Sequence, residues 1–378
     1  MSRELLVLVA LGILCIILAP LYKNAKLIHS GIQPVYHETK HDTMNPKEER
    51  ITIKADNPKT IVLLSDSFLP VTVAGSELTS YETLKYLRER GHEVSIFVKT
   101  HKVEFYDKFP IYKYDVDDAF CRDRIINSDY VFFQMSKVED FDLVKERKNT
   151  TVLLIHMVNS YAWLLQQKVG FPIIVVYNSH TTQDTLHSFY DNMRMIPYVN
   201  TKEFYPIRRS TENNRKVCLI NCNENKGGNL LKDLAKEMKD VEFIGVKGGY
   251  MNQIVDKTNT DNLTYIENQK DIKPVFKQIG ILIMPSKNET WGRTAVEAMA
   301  SGVPVIHSEA PGLVECVGGA GIQCNRDDIG AWMDAINRIL GDPNYREQLR
   351  QNGFRRVREI EAEQIRGRQE LALKLENN

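Results

Sequence analysis

The chain has 378 residues, of which 43% are hydrophobic and 26% charged, so it is long enough for two globular domains with separate cores. Basic residues (Lys and Arg) and acidic residues (Asp and Glu) both number 49, a balance that argues against binding to nucleic acid through overall charge. Five of the six cysteines lie scattered beyond the first hydrophobic segment. This pattern excludes a disulfide framework and favours buried free thiols in a reducing compartment.

A hydrophobic segment lies near the start of the chain. Residues 5–22 are 18 uncharged, mostly apolar residues, nearly enough to cross a hydrocarbon core as a helix. A cleaved signal peptide is the alternative, but the first four residues are only weakly basic and Ala19-Pro20-Leu21 is a poor cleavage site. We therefore predict that residues 1–22 form a single-pass transmembrane helix that anchors the chain in a membrane.

The segment after the anchor, residues 23–57, is polar and lacks sustained periodicity, which is typical of a stalk. From residue 58, short apolar runs rich in β-branched residues alternate with helical patterns, as in a parallel sheet covered by helices. We predict a Rossmann-like first domain over residues 58–207. Its predicted strands are residues 60–64, 94–98, 130–133, 152–155 and 173–177.

The same pattern begins again after a polar stretch near residue 210 and predicts a second doubly wound domain over residues 208–344. Its predicted strands are residues 217–220, 241–244, 263–266, 281–284 and 303–306, and its predicted helices are residues 229–239, 271–278, 291–301 and 328–341. The charged helical pattern of residues 345–378 predicts a C-terminal helix that returns to the first domain.

The stretch from residue 281 to residue 321 is the most informative part of the sequence. An apolar strand leads into a polar loop that contains Glu289, and a helix follows that carries Glu297, eight positions later. Such a loop presents backbone N–H groups and the positive end of a helix at the carboxyl edge of the sheet. A phosphorylated ligand suits this arrangement.

This stretch resembles the donor-site signature of the family-four retaining glycosyltransferases, the glycosyl transferases group 1: Glu-x7-Glu followed by Ala-Met-Ala-x-Gly-x-Pro-Val. The resemblance implies a GT-B fold, in which two Rossmann-like domains face each other across a cleft. It implies that Glu289 binds hydroxyls of the donor sugar and Glu297 the ribose of the nucleotide, the alternative being that Glu297 is an ordinary surface carboxylate. It also implies backbone contacts to sugar and phosphate from Thr290, Trp291, Gly292, Arg293 and Thr294.

A second part of the resemblance lies in the loop after the first strand of the second domain. Lys226 matches the family lysine that faces the donor diphosphate, a role that suits a point charge. The alternative is a solvated loop lysine. The family's usual arginine is missing, and Cys222 stands near its place.

Two residues of the first domain complete the predicted site. Ala74-Gly75 resembles the family's glycine-rich donor loop, and Gly75 would let the backbone approach the phosphates at the start of a helix. By itself this loop is also compatible with a plain strand-to-helix turn. His156 follows a predicted strand and matches a family histidine near the donor sugar, although a lone histidine is often structural. The Gly-x-Gly-x-x-Gly pattern of a dinucleotide site is absent.

The resemblance implies transfer of a sugar from a nucleotide-diphosphate sugar, with retention, to a glycan, lipid or protein acceptor that the sequence does not identify. The catalytic residues would be Glu289, Lys226 and His156, and we expect no cofactor and no metal, because Lys226 and helix dipoles can stabilise the charge. Two alternatives remain open. One is a nucleotide-sugar hydrolase or epimerase, and the other is a catalytically weak or inactive membrane-tethered protein that binds nucleotide sugars.

The side of the membrane on which the body lies is not decided by the charges, because Arg3 is nearly matched by Lys23 and Lys26. Glycosylation sequons begin at Asn149, Asn262 and Asn288. The sequon at Asn288 adjoins the predicted site, where a glycan would obstruct ligand binding. We therefore expect the catalytic body in the cytosol rather than in a lumen.

Overall fold

The computed structural model describes residues 54–158, 161–166, 168–208, 213–249, 251–255 and 261–377. The predicted anchor, residues 1–22, and all but the end of the predicted stalk lie outside these ranges. Across the part of the chain that is described, no helix is both long and apolar enough to cross a membrane.

The first sheet contains eight strands. They are β1 (Thr60–Ser65), β2 (Glu93–Val98), β3 (Phe105–Tyr106), β4 (Phe109–Lys113), β5 (Tyr130–Gln134), β6 (Thr151–Ile155), β7 (Ile173–Tyr177) and β8 (Asp191–Arg194). Their spatial order is β3-β4-β2-β1-β5-β6-β7-β8, and neighbours are parallel except for the β3-β4 hairpin. The associated helices are α1 (Gly75–Glu89), α2 (Ala119–Asn127), α3 (Asp142–Lys145), α4 (Ala162–Leu165) and α5 (His180–Thr185).

The second sheet contains six parallel strands. They are β9 (Lys216–Ile220), β10 (Phe243–Val246), β11 (Leu263–Ile266), β12 (Ile279–Met284), β13 (Val305–His307) and β14 (Ile322–Gln323), in the order β11-β10-β9-β12-β13-β14. The helices of this part are α6 (Gly228–Glu237), α7 (Lys273–Phe276), α8 (Arg293–Ala300), α9 (Pro311–Val317) and α10 (Ile329–Gly341).

Every predicted strand is present, but several boundaries are wrong. The strand predicted at residues 241–244 is β10, which begins two residues later, and the strand predicted at residues 303–306 begins only at Val305. Pro304 has no N–H to donate to a sheet, which explains the later start of β13. The helix predicted at residues 271–278 is only the single turn α7, and the one predicted from residue 291 begins at Arg293.

The β3-β4 hairpin was not predicted, because its turn lacks the usual glycine. Asp107 and Lys108 form a two-residue turn with φ angles of 44° and 66°. Left-handed angles at both positions are typical of hairpin turns that match the twist of a sheet, and such turns favour Asn-Gly or Asp-Gly. The helix α2 and the short strands β8 and β14 were missed as well, because each is too short for a clear periodicity.

A long C-terminal helix, α11 (Pro343–Glu376), packs against both domains. Asp342 caps its start by accepting a hydrogen bond from the Tyr345 backbone at 3.0 Å. Near its end, Leu371 and Leu375 are fully buried in the core beneath the first sheet. Glu376 closes the contact with two hydrogen bonds of 2.7 Å from Arg90 on the first domain.

We predict that Leu375→Ala destabilises the protein and that Leu373→Ala does not. Leu375 is 0% exposed, whereas Leu373, two residues away on the same helix, is 54% exposed. Removing a buried leucine costs about 2–5 kcal/mol in the free energy of unfolding, and an exposed substitution about 0.5 kcal/mol or less. Urea unfolding of the full chain measures both, and equal unfolding midpoints would contradict the packing of α11 on the first sheet.

Candidate donor site

An open cavity lies between the two domains, where the carboxyl edge of the second sheet faces the loop before α1. The first domain contributes Val73, Ala74 and Gly75 to its wall. The second domain contributes the ends of β9 and β12, the loops after β10 and β11, and the start of α8. Six of the predicted site residues line this cavity: Gly75, Lys226, Glu289, Trp291, Arg293 and Thr294. The other four, His156, Thr290, Gly292 and Glu297, lie behind or beside its wall.

Cationic side chains outnumber carboxylates among the residues that line the cavity. Its described lining residues include three cationic side chains, those of Lys226, Lys247 and Arg293, and one carboxylate, that of Glu289. Low-dielectric walls strengthen the field of such a group of charges. The cavity is therefore suited to an anionic ligand.

Lys226 lies in the loop between β9 and α6, and local packing fixes its position. Its backbone N–H donates to Asn223 Oδ1 at 2.9 Å. The next residue, Gly227, has a φ of 92°, and a Cβ there would lie 2.4 Å from Pro285 Cγ, so that only glycine fits. The Lys226 ammonium pairs directly with the Glu289 carboxylate. The two residues predicted to hold the phosphate and the sugar of a donor are thus neighbours.

Both domains hold the backbone around Glu289. The Gly312 N–H donates to the Glu289 carbonyl at 3.1 Å, and a Cβ on Gly312 would lie 2.3 Å from the Thr290 carbonyl carbon. From the first domain, the His156 carbonyl accepts a hydrogen bond from the Thr290 hydroxyl at 2.8 Å, and Asn178 Nδ2 donates to the same Thr290 oxygen at 3.1 Å. Gly312 was not predicted as a site residue, although the Pro-Gly pair after β13 is a signal for it.

His156 contributes its carbonyl group to this junction, and its side chain is partly buried. Its Nε2 is 3.2 Å from Gln134 Oε1 in β5. Burial lowers the pKa of His156 to about 4, because the charged imidazolium would lose its hydration. The ring is therefore neutral at pH 7, and it is the His156 carbonyl, through the Thr290 hydroxyl, that connects this residue to the loop of Glu289.

Glu297 lies on α8, whose first turn begins after the N-cap residue Gly292. Arg293 donates from Nε to Glu297 Oε1 at 3.1 Å and from Nη1 to the Tyr198 carbonyl at 2.5 Å. Burial raises the pKa of Glu297, and the neighbouring Arg293 opposes this rise. Only 12% of the Glu297 side chain is exposed, which argues against an ordinary surface carboxylate.

Trp291 forms part of the cavity wall and is 5% exposed. Its indole N–H is buried and has no acceptor among the described residues. A buried donor without an acceptor is uncommon in folded proteins and marks a position where a ligand or water can accept a hydrogen bond.

In the loop after β9, Cys222 stands near the place where the resembled family has an arginine. The thiol does not line the cavity: it is fully buried and donates to the Val246 carbonyl at 3.4 Å. Asn221, which precedes it, lines the cavity with a φ of 71°, a conformation that glycine and asparagine adopt most readily. Lys247, just after β10, also lines the cavity and was missed, although a lysine followed by two glycines at a strand end is a visible signal.

Among the residues that the structure describes, no group of three or more His, Cys, Asp or Glu side chains is placed to hold a metal ion. The five cysteines in these ranges, Cys121, Cys218, Cys222, Cys316 and Cys324, are all buried free thiols.

The fold is that of the GT-B class of two-domain glycosyltransferases. Sucrose-phosphate synthase from Thermosynechococcus elongatus superposes with a TM-score of 0.68 at 17% identity, over 85% of this chain and 100% of that structure. HepE from Anabaena in complex with UDP-glucose gives 0.68 at 15% identity, over 83% and 99%. At these identities the similarity establishes the fold.

Residues 214–356 match the glycosyl transferases group 1 family. This range contains every predicted site residue of the second domain. The predicted resemblance is therefore confirmed.

Curated relatives match parts of the chain. The D-inositol 3-phosphate glycosyltransferase of Nocardia farcinica is 31% identical over 102 residues, 26% of this chain and 22% of that protein. The MMP alpha-(1->4)-mannosyltransferase of Mycolicibacterium hassiacum is 26% identical over 217 residues, 52% of each chain. The chain spans less than a third of the length of the first curated relatives that it matches.

We predict that His156→Gln makes the stability of the protein less sensitive to acid. The pKa of His156 in the folded protein, about 4, lies below the value of about 6.5 in an unfolded chain. As the pH falls between these values, the unfolded state binds the proton first, so the wild type loses stability. Between pH 7.5 and pH 5 the wild type should lose about 2 kcal/mol more than the variant, measured by urea unfolding. Equal losses would show that His156 is not buried as a neutral ring.

Proposed function

We propose that this chain transfers a glycosyl group from a nucleotide-diphosphate sugar to a hydroxyl-bearing acceptor, with retention of the anomeric configuration. The observation that carries this proposal is the direct pairing of Lys226 with Glu289 in the cavity between the two domains. A cation for the leaving diphosphate and a carboxylate for sugar hydroxyls are thereby held side by side. The glycosyl transferases group 1 domain over residues 214–356 supports the same activity.

Donor binding would replace the Lys226–Glu289 pair by two contacts with the ligand. The diphosphate takes the place of the carboxylate beside Lys226, and sugar hydroxyls donate to Glu289. Lys226 then stabilises the negative charge that grows on the leaving diphosphate. Glu297 binds the ribose, and the backbone at Gly75 approaches the phosphates from the first domain.

The acceptor binds mainly to the first domain, and closing of the cleft excludes water, which competes as an acceptor. Neutral His156 lies beside the sugar subsite. The acceptor is a glycan, lipid or protein. The names of the curated relatives include an inositol phosphate and a capsular polysaccharide, so they do not point to one acceptor.

We further propose that the reaction needs no cofactor and no metal ion. The support is electrostatic: Lys226, Lys247 and Arg293 line the cavity, and the N-terminus of α8 lies in its wall. These groups supply positive charge at the position where a divalent cation would otherwise act.

The test starts with the donor, identified by thermal stabilisation of the full chain with UDP-, GDP- and ADP-sugars. Lys226→Met should then lower kcat about 10²- to 10³-fold, because a preorganised charge on the leaving group is lost. Lys287→Met is the matched control, since Lys287 is exposed and lies outside the cavity wall. Activity should survive a chelator. Unchanged kcat in Lys226→Met would contradict the role of Lys226, and loss of activity with chelator would contradict metal independence.

A second candidate function is that of a catalytically weak or inactive protein that binds nucleotide sugars. The observation that favours it is the burial of Cys222, which leaves the place of the family arginine without a charge. The same donor screen separates the two functions. Donor binding without turnover over a broad acceptor panel would support the binding protein, and glycosylated product would support the transferase.

We also propose that residues 5–22 anchor the chain in a membrane with the body in the cytosol. The side chain of Asn262, a sequon residue, supports this orientation. Its Nδ2 donates to the carbonyls of Ala235, Met238 and Val241 at 3.0, 2.9 and 2.9 Å. A glycan would replace one of the two hydrogens of this nitrogen, which then could not keep all three bonds, and this favours an unglycosylated chain.

Fractionation of a bacterial host that expresses the full chain tests this placement. The full chain should remain in the membrane pellet after alkaline carbonate extraction, and a variant without residues 5–22 should not. Protease added to intact spheroplasts should leave the body uncut, and the same protease should digest it after lysis. Digestion in intact spheroplasts would reverse the proposed orientation.

A further inference from the structure

The cavity lacks the arginine that the resembled family usually carries beside the diphosphate. Cys222, near that place, is buried and faces the Val246 carbonyl. Two other cations of the wall already have carboxylate partners: Lys226 pairs with Glu289 and Arg293 with Glu297. Further positive charge beside a leaving diphosphate would add to the stabilisation that Lys226 supplies.

Lys247 is the third cation in the wall. It follows β10 directly, and β10 pairs with β9, so Lys247 and the loop that carries Lys226 stand at the same sheet edge. Its ammonium pairs with Glu267, whose side chain is 79% exposed. Ion pairs with such an exposed partner are weak, so an anion in the cavity can displace this carboxylate.

The backbone that carries Lys247 is held in place. A Cβ on Gly248 would lie 2.2 Å from Asn221 Oδ1, and one on Gly249 would lie 2.9 Å from Asn268 Nδ2. The Gly248 N–H also donates to Gln253 Oε1 at 2.8 Å. The loop after β10 is thus packed against the end of β9, and the flexible part of Lys247 is its side chain.

We propose that Lys247 binds the donor diphosphate by exchanging the Glu267 carboxylate for a phosphate oxygen. Lys247 thereby supplies, from the neighbouring strand, the second positive charge that the loop after β9 lacks. This inference rests on the proposed function, because it assumes that a nucleoside diphosphate occupies the cavity.

The experiment compares binding of nucleosides and nucleoside diphosphates by calorimetry, using the full chain purified in detergent. UDP, GDP and ADP are tested with uridine, guanosine and adenosine, and the tightest pair is kept. Lys247→Met should weaken diphosphate binding about tenfold or more and leave nucleoside binding unchanged, because a charged hydrogen bond to phosphate is lost. Lys247→Arg should restore most of the affinity. Glu267→Gln, the matched control, should bind the diphosphate at least as tightly as the wild type.

Each of the following results would contradict one part of this proposal. Equal weakening of nucleoside and diphosphate binding would show that Lys247 acts on the base or on the loop, and an unchanged diphosphate affinity would show that it does not reach the phosphates. Either result overturns this inference while the proposed function stands. Weakening by Glu267→Gln equal to that by Lys247→Met would show that the ion pair is structural. A wild type that binds none of the three diphosphates would overturn the proposed function and this inference together.

Discussion

The hydrogen bond between the Thr290 hydroxyl and the His156 carbonyl ties the two domains together at the residue beside Glu289. A second bridge lies nearby, where the Glu315 carboxylate of α9 accepts from the backbone N–H groups of His180 and Thr181 at 2.8 and 3.0 Å. A carboxylate at a helix N-terminus is a favourable partner for such groups. The loop that contains Glu289 therefore cannot shift without changing the contact between the domains. The position of Glu289 is thereby coupled to the position of the first domain.

The helix α11 also holds the two domains together, through packing against both of them. Its Gly353 packs so closely on α8 that a Cβ would lie 3.3 Å from Met299 side-chain atoms, and its last turns lie in the core of the first sheet. One continuous helix thus contacts the element that carries Glu297 and the domain that carries Gly75. Hydrogen bonds at the cleft and apolar packing along α11 together hold the two walls of the cavity.

Electrostatics explains why the cavity suits an anionic ligand although the net charge of the chain is zero. Three cationic side chains line the cavity, and each is paired with a carboxylate that an anionic ligand could replace: Lys226 with Glu289, Lys247 with Glu267 and Arg293 with Glu297. The pairing of Lys226 with Glu289 keeps two charged groups satisfied and close to the positions where a donor would need them. Most of the wall is thereby preorganised, which lowers the cost of ordering on binding.

The sequence by itself determined the alternation of strands and helices, because continuous apolar runs and the 3.6-residue helical period are local properties. It also predicted that Lys226, Glu289 and the start of α8 lie together, and they line one cavity, because an ordered motif keeps its loop and helix at a constant spacing. It missed the β3-β4 turn, where Asp107 and Lys108 adopt left-handed angles without glycine. Only the tertiary structure decided that the Cys222 thiol faces the Val246 carbonyl and that Lys247 lines the cavity, since these facts depend on which strands pair side by side. Pairing between β9 and β10 brings together residues more than twenty positions apart, and no local pattern encodes such a contact.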